Sequence, residues 1–141
     1  PPAVLRMDDA EAEGVAGRTL PAPADTADFA AALVARGVAR TVVIARGADG
    51  NVLVRDGLRL HCRPPRVEVL SKVGAGDSFM GAFTLEIAGG ADGESAQGPD
   101  WAQALRRGTA AAAAAVMTPG TELCSRADTD RLAPECHLTE I

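Results

Sequence analysis

Residues 74–77, Gly-Ala-Gly-Asp, form the pattern in this sequence best suited to chemistry. Two glycines around one small residue let the backbone turn tightly and leave peptide N–H groups uncovered. The apolar run that follows, from Ser78 through Phe83, reads as a helix. A helix start directs its unpaired N–H groups and its dipole at one point. The combination suits an anion such as a phosphate. Asp77 sets a carboxylate beside that point, an unfavourable placement unless the carboxylate handles a proton or a metal. The local alternative is capping, since aspartate is favoured where a helix begins.

Two other phosphate motifs fail on their residues. A dinucleotide fingerprint needs a third glycine three positions after Gly76, and Phe79 stands there. A P-loop needs Lys-Ser/Thr after its second glycine, and Gly81 is followed by Ala82 and Phe83.

Composition narrows the rest. At 141 residues the chain is one ordinary domain, or part of a larger one, with apolar content enough for a core. A net charge of −5 offers no basic stripe, so nucleic acid is not expected as a partner. No apolar run approaches membrane-spanning length, so no membrane partner is expected either. Cys62, Cys124 and Cys136 are odd in number and lack metal-ligand spacing, and read as reduced thiols of a cytoplasmic protein. His61 and His137 are isolated, as exposed or edge histidines are, and give Ser-His-Asp or Cys-His catalysis little support.

The elements that must position residues 74–77 alternate between strand and helix patterns. Ala3–Met7 reads as a strand, and Asp8-Asp9-Ala10-Glu11 opens a helix that Gly17 ends, its acidic residues being ordinary dipole partners. Asp25–Asp28 reads as the capping start of a helix over Phe29–Arg36. Thr41–Ala45 is a continuous run, β-branched through Ile44, as in the doubly covered strands of parallel sheets. Arg46–Asn51 is a turn, and Val52–Val54 and Leu58–Leu60 form a hairpin about Asp56-Gly57. Val67–Val69 alternates as a short strand. The helix from Asp77 is expected to stop at Gly89-Gly90, before a polar loop. Asp100 caps a helix from Trp101 to Met117 whose alanine-rich half suits close packing, a final helix covers Ser125–Leu132, and the tail frays. The pattern is that of an α/β layered fold.

With these residues in place, Val73-Gly74-Ala75-Gly76-Asp77-Ser78-Phe79 resembles the C-terminal signature of the ribokinase-like (PfkB-type) carbohydrate kinases, Asp-Thr-x-Gly-Ala-Gly-Asp-x-Phe. Ser71 and Lys72 stand where that family usually has Asp-Thr. Residues 120–125, Gly-Thr-Glu-Leu-Cys-Ser, are similar to the end of its bacterial phosphofructokinase branch. Asp8-Asp9-Ala10-Glu11 resembles Asn-x-x-Glu, and Ala45-Arg46-Gly47 resembles Ser/Thr-x-Gly. The motif order is kept along nearly the whole chain.

The resemblance implies ATP-dependent phosphorylation of a small sugar phosphate, with Mg²⁺, and with K⁺ at a monovalent-cation site. The implied fold is the C-terminal, nucleotide-binding part of a three-layer α/β/α ribokinase-like domain, with the sugar-binding half and lid preceding residue 1. A homodimeric parent is also implied. Asp77 matches the catalytic base, and the N–H groups of Gly74, Ala75, Gly76 and Asp77 match the hole for the transferring phosphoryl group. Glu11 matches the glutamate that positions Mg²⁺ through water. Asp8, Ala45, Gly47 and Gly50 match positions along the nucleotide phosphates, and Thr109 and Ala113 the adenine side. Ser71, Val73, Ala115, Thr118 and Gly120 match positions around the monovalent cation. The departures have a direction: Asp8 adds negative charge near the phosphates, and Ala45 lacks a hydroxyl that would donate to one. Arg6 and Met7 replace the usual lysine and proline.

Overall fold

The largely apolar residues 4–7 and the run 41–45, β-branched through Ile44, become two adjacent parallel strands in the computed structural model, β1 (Val4–Asp8) and β2 (Thr41–Ala45), with Leu5 opposite Val42 and Met7 opposite Ile44. The structure describes residues 3–91, 98–118 and 125–141. They fall into two compact units, one running to Cys62 and taking in Leu138–Ile141, the other Arg63–His137.

In the first unit β3 (Asn51–Arg55) runs antiparallel to β2, and β4 (Leu58–Arg63) antiparallel to β3. The Asp56-Gly57 turn joins them with Gly57 at φ 74°. The tail does not fray: β5 (His137–Glu140) adds to β4, and the Ile141 N–H donates to the Arg59 carbonyl at 3.1 Å. The sheet order is β1-β2-β3-β4-β5. The sheet is mixed rather than all parallel, because the two-residue turn after β3 forces reversal. Thr41–Ile44 are nevertheless buried throughout, as a doubly covered strand requires.

Helices α1 (Asp9–Ala16) and α2 (Pro23–Ala35) cross from β1 to β2. Gly17 closes α1 at φ 71°, the left-handed cap that glycine adopts without strain. The second helix begins six residues before the expected Phe29. Pro23 stands at its first position with φ already suitable, and the Asp25 carboxylate accepts from the Ala22 N–H at 3.0 Å. Phe29, Ala30 and Leu33 pack with Met7, Val42, Ile44, Val52 and Val54 into one buried cluster. Each large side chain so buried contributes about 1.5–3 kcal/mol.

The second unit holds α3 (Ala75–Ala91), α4 (Trp101–Val116) and α5 (Arg126–Leu132). Residues 67–69 form no strand; the chain instead docks by its Leu70 and Ser71 N–H groups, which donate to the Val116 carbonyl at 2.7 and 3.2 Å. The third helix starts two residues before Asp77 and continues through Gly89-Gly90, since a helical glycine costs only about 1 kcal/mol. The Asp100 side chain caps α4 through the Gln103 N–H, and the Ser125 hydroxyl caps α5 through the Asp128 N–H. Phe79 and Phe83 stack at 5.4 Å between ring centres, with Trp101 tilted against Phe83. Arg107 on α4 reaches Glu86 of α3 at 3.7 Å and Asp130 of α5 at 2.6 Å.

Candidate functional site

In the first unit the candidate residues gather at the carboxyl ends of β1 and β2. Asp8 lies opposite Ala45, and Ala45 opposite Asn51, in one row across the sheet. Ligands of open α/β sheets bind at this end of the strands. Asp8 is also the N-cap of α1. Its carboxylate accepts from the Glu11 N–H at 2.7 Å, and Glu11 returns a bond from the Asp8 N–H at 3.2 Å. The acidic pair is therefore a capping box, with both side chains exposed.

Beyond Ala45 the chain makes a short 3₁₀ turn, Gly47–Asp49, with Gly47 at φ 61° and Gly50 at φ 88°. The Arg46 N–H donates to the Gly50 carbonyl at 2.7 Å, and the Gly50 N–H to the Gly47 carbonyl at 3.0 Å. The Arg46 side chain, one-tenth exposed, then ties this loop to the α1–α2 connection. It donates to Asp49 at 3.1 Å, to the Leu20 carbonyl at 2.9 Å, to the Thr26 hydroxyl at 2.6 Å and to the Pro21 carbonyl at 3.0 Å. Sequence reasoning assigned Arg46 no role. The available signal was an arginine set between a strand end and Gly-x-x-Gly. His61, expected to be exposed or at an edge, is buried, with Nε2 2.6 Å from the Asp49 carbonyl oxygen. The polar carbonyl lets the ring stay inside.

In the second unit Gly74 takes φ 84°, and its carbonyl accepts the first helical bond, from the Ser78 N–H at 2.9 Å. Gly74 is thus the N-cap of α3, and Ala75, Gly76 and Asp77 are its first three helical positions. Those four N–H groups are the ones an α-helix cannot pair one turn back. The Asp77 side chain is exposed, while the next two residues, Ser78 and Phe79, are buried and anchor the turn.

The remaining candidates lie on or near α4. Thr109 and Ala113 are buried, as close packing of the alanine run predicts. The Val116 bonds bring the segment of Ser71 and Val73 to the helix end that carries Ala115 and Thr118. The Val73 N–H donates to the Ser71 hydroxyl at 3.2 Å, and Val73 is exposed. Thr118 donates to the Ala115 carbonyl twice, through N–H at 3.1 Å and hydroxyl at 2.8 Å. Gly120 and Cys124 lie outside the described residues; Cys62 and Cys136 are buried. Among the described residues no three His, Cys, Asp or Glu side chains gather to hold a metal. A single glutamate still suits Mg²⁺, which keeps several waters and binds through one or two carboxylates plus substrate phosphates. No helix among the described residues is long and apolar enough to cross a membrane.

The family model described as pfkB family carbohydrate kinase matches residues 2–128. The chain is 34% identical over 129 residues to the ATP-dependent 6-phosphofructokinase isozyme 2 of Escherichia coli strain K12, covering 92% of this chain and 39% of that protein. It is 37% identical over 125 residues to the 1-phosphofructokinase of the same strain, covering 89% of this chain and 37% of that one. The chain therefore spans about two fifths of the length of these relatives. Among solved structures, phosphofructokinase-2 from Escherichia coli in complex with potassium superposes with a TM-score of 0.82 at 32% identity, over 94% of this chain and 40% of that one. Ribokinase from Thermotoga maritima superposes with a TM-score of 0.70 at 23% identity, over 91% of this chain and 41% of that one. These likenesses show a ribokinase-like α/β/α fold over nearly the whole chain.

Proposed function

The chain belongs to the pfkB family of carbohydrate kinases, related to bacterial phosphofructokinases, and we propose that it is the C-terminal, nucleotide-binding part of an ATP-dependent sugar-phosphate kinase whose substrate is fructose 6-phosphate. The observation that carries this reading is the placement of Gly74 as N-cap and Asp77 at the third position of α3. Four N–H groups that the helix cannot pair one turn back and one exposed carboxylate then stand on a single helical turn.

Asp77 orients the sugar hydroxyl and takes its proton. Phosphoryl transfer has a loose transition state, so the base is needed late and positioning dominates. The N–H groups of Gly74, Ala75, Gly76 and Asp77 hold charge on the transferring phosphoryl group. Gly47 and Gly50 place backbone along the nucleotide phosphates. Thr109 and Ala113 shape the adenine side, with α4 kept narrow by its alanines. Glu11 would hold Mg²⁺ through water; the ion, when bound, neutralises charge on the phosphates. Ser71, Val73, Ala115, Thr118 and Gly120 would surround K⁺. The portion that grips the sugar is proposed to lie outside these 141 residues, and the parent to be a homodimer.

Fructose 6-phosphate is preferred because a solved relative, phosphofructokinase-2 from Escherichia coli at 29% identity, was crystallised in complex with that sugar. The 37% identity to a 1-phosphofructokinase supports fructose 1-phosphate as the second choice, with tagatose 6-phosphate third. The test is an assay of the full-length parent with Mg²⁺, ATP and each of the three sugars. Turnover of fructose 6-phosphate that Asp77→Asn abolishes supports the proposal. ATP binding without turnover of any of them sinks it, and favours a non-catalytic nucleotide-binding module with Asp8 and Ala45 as signs of decay. Turnover by the 141 residues alone would refute the placing of the sugar-binding portion elsewhere.

A further inference from the structure

We propose that Arg46 is a positioning residue for the nucleotide, acting through the Gly47–Gly50 loop; this rests on the kinase reading of that loop. Ala45 supplies no hydroxyl, so on this reading the phosphate meets the backbone of a loop whose Arg46, Asp49 and Gly50 N–H groups already donate within it, and that backbone is useful only if held still. Two glycines with left-handed φ make the loop intrinsically free. Arg46 removes that freedom from both sides. Its own N–H closes the loop on the Gly50 carbonyl at 2.7 Å. Its guanidinium fastens the same residue to Leu20, Pro21 and Thr26, which lie 20 to 26 positions earlier in the chain. Asp49, inside the loop, accepts from the Arg46 Nε–H at 3.1 Å, and its negative charge offsets that of the guanidinium.

The planar fork matters here. Five donors in fixed directions serve four acceptors, whereas lysine has one nitrogen and cannot reach them together. The guanidinium is already committed to these partners, so its part is to order the loop before ATP arrives. Ordering in advance lowers the entropic cost of binding.

The experiment measures the Kd of a non-hydrolysable ATP analogue and the KM and kcat of the full-length parent. The variants are Arg46→Lys, Arg46→Ala and Thr26→Val, with hydrogen exchange of residues 46–51 as the second readout. Thr26→Val removes one acceptor and leaves the arginine in place, which guards against a variant that does not fold. The expected result is analogue binding weakened about tenfold or more in Arg46→Ala, less in Arg46→Lys and least in Thr26→Val. Loop exchange should rise in the same order, while kcat at saturating ATP and the KM for the sugar stay within about twofold. Faster loop exchange with unchanged analogue affinity overturns the proposal, as does a fall in kcat with both KM values unchanged. The analogue titration judges Arg46 even in a parent without turnover, and Asp77→Asn kinetics judge the kinase reading separately.

Discussion

The ring of Phe79 occupies the space into which a side chain at Gly108 would grow. A Cβ built on Gly108 stands 2.7 Å from Phe79 Cε2 and 2.8 Å from Cδ2, closer than real Cβ contacts come. Phe79 is fully buried and stacked on Phe83, so it has nowhere to retreat. The glycine therefore sets how near α4 can lie to the first turns of α3, and those turns carry Gly74 to Asp77.

Gly108→Ala tests this contact against helix propensity. Alanine favours a helix over glycine by about 1 kcal/mol, while overpacking a rigid core costs about 1–3 kcal/mol. The clash should win, giving a net loss of about 1 kcal/mol in urea unfolding. Phe79→Leu in the same chain should recover part of it. A Gly108→Ala protein more stable than the parent sequence would show that the two helices are not held at contact.

Asp77→Asn should lower kcat of the full-length parent by about 10²-fold or more, the usual contribution of a positioned general base. Stability should change by less than about 1 kcal/mol, because the side chain is exposed and its tie to the fold is the helix dipole. Thermal unfolding beside steady-state kinetics separates the two. Full activity in the variant would remove Asp77 from the chemistry.

Asp8 can be asked two questions by two substitutions. Asp8→Ala breaks the capping box and should cost about 1 kcal/mol, whereas Asp8→Asn keeps an equally good N-cap and should be near neutral. On the kinase reading Asp8→Asn also removes a negative charge beside the phosphates, so ATP affinity should rise by about three- to tenfold. Calorimetric titration with ATP reads that sign directly. An affinity that falls would mean the carboxylate assists binding.

Arg107 bridges two helices through partly exposed carboxylates. Arg107→Ala should cost about 1 kcal/mol, the upper range for such pairs. The difference from the unsubstituted protein should shrink in 1 M NaCl, where charge interactions are screened within about 3 Å. A gap unaffected by salt would assign the loss to packing of the arginine stem.

Much of this was legible in the residues. Thr41–Ala45 is a strand because four β-branched residues in succession, Thr41 to Ile44, suit no other conformation so well. Asp100, Gly17 and Ser125 mark helix ends through their own local bonds. The misses share a cause. Val67–Val69 alternates like a strand, but Leu70 and Ser71 dock on Val116, far along the chain. Residues 137–140 look like a loose tail and find an open sheet edge beside β4. His61 looks solitary and meets a carbonyl from the loop before β3.

By itself the sequence determined what short-range physics can determine. It set the Gly-Ala-Gly-Asp turn onto a helix and the order of motifs that identifies a carbohydrate-kinase chain. Tertiary structure alone decided that Asp8 and Ala45 face each other across two strands, that one arginine pins the Gly47–Gly50 loop, and that Gly108 must have no side chain. Each of these depends on which distant residue arrives within a few ångströms, and neither periodicity nor propensity records that.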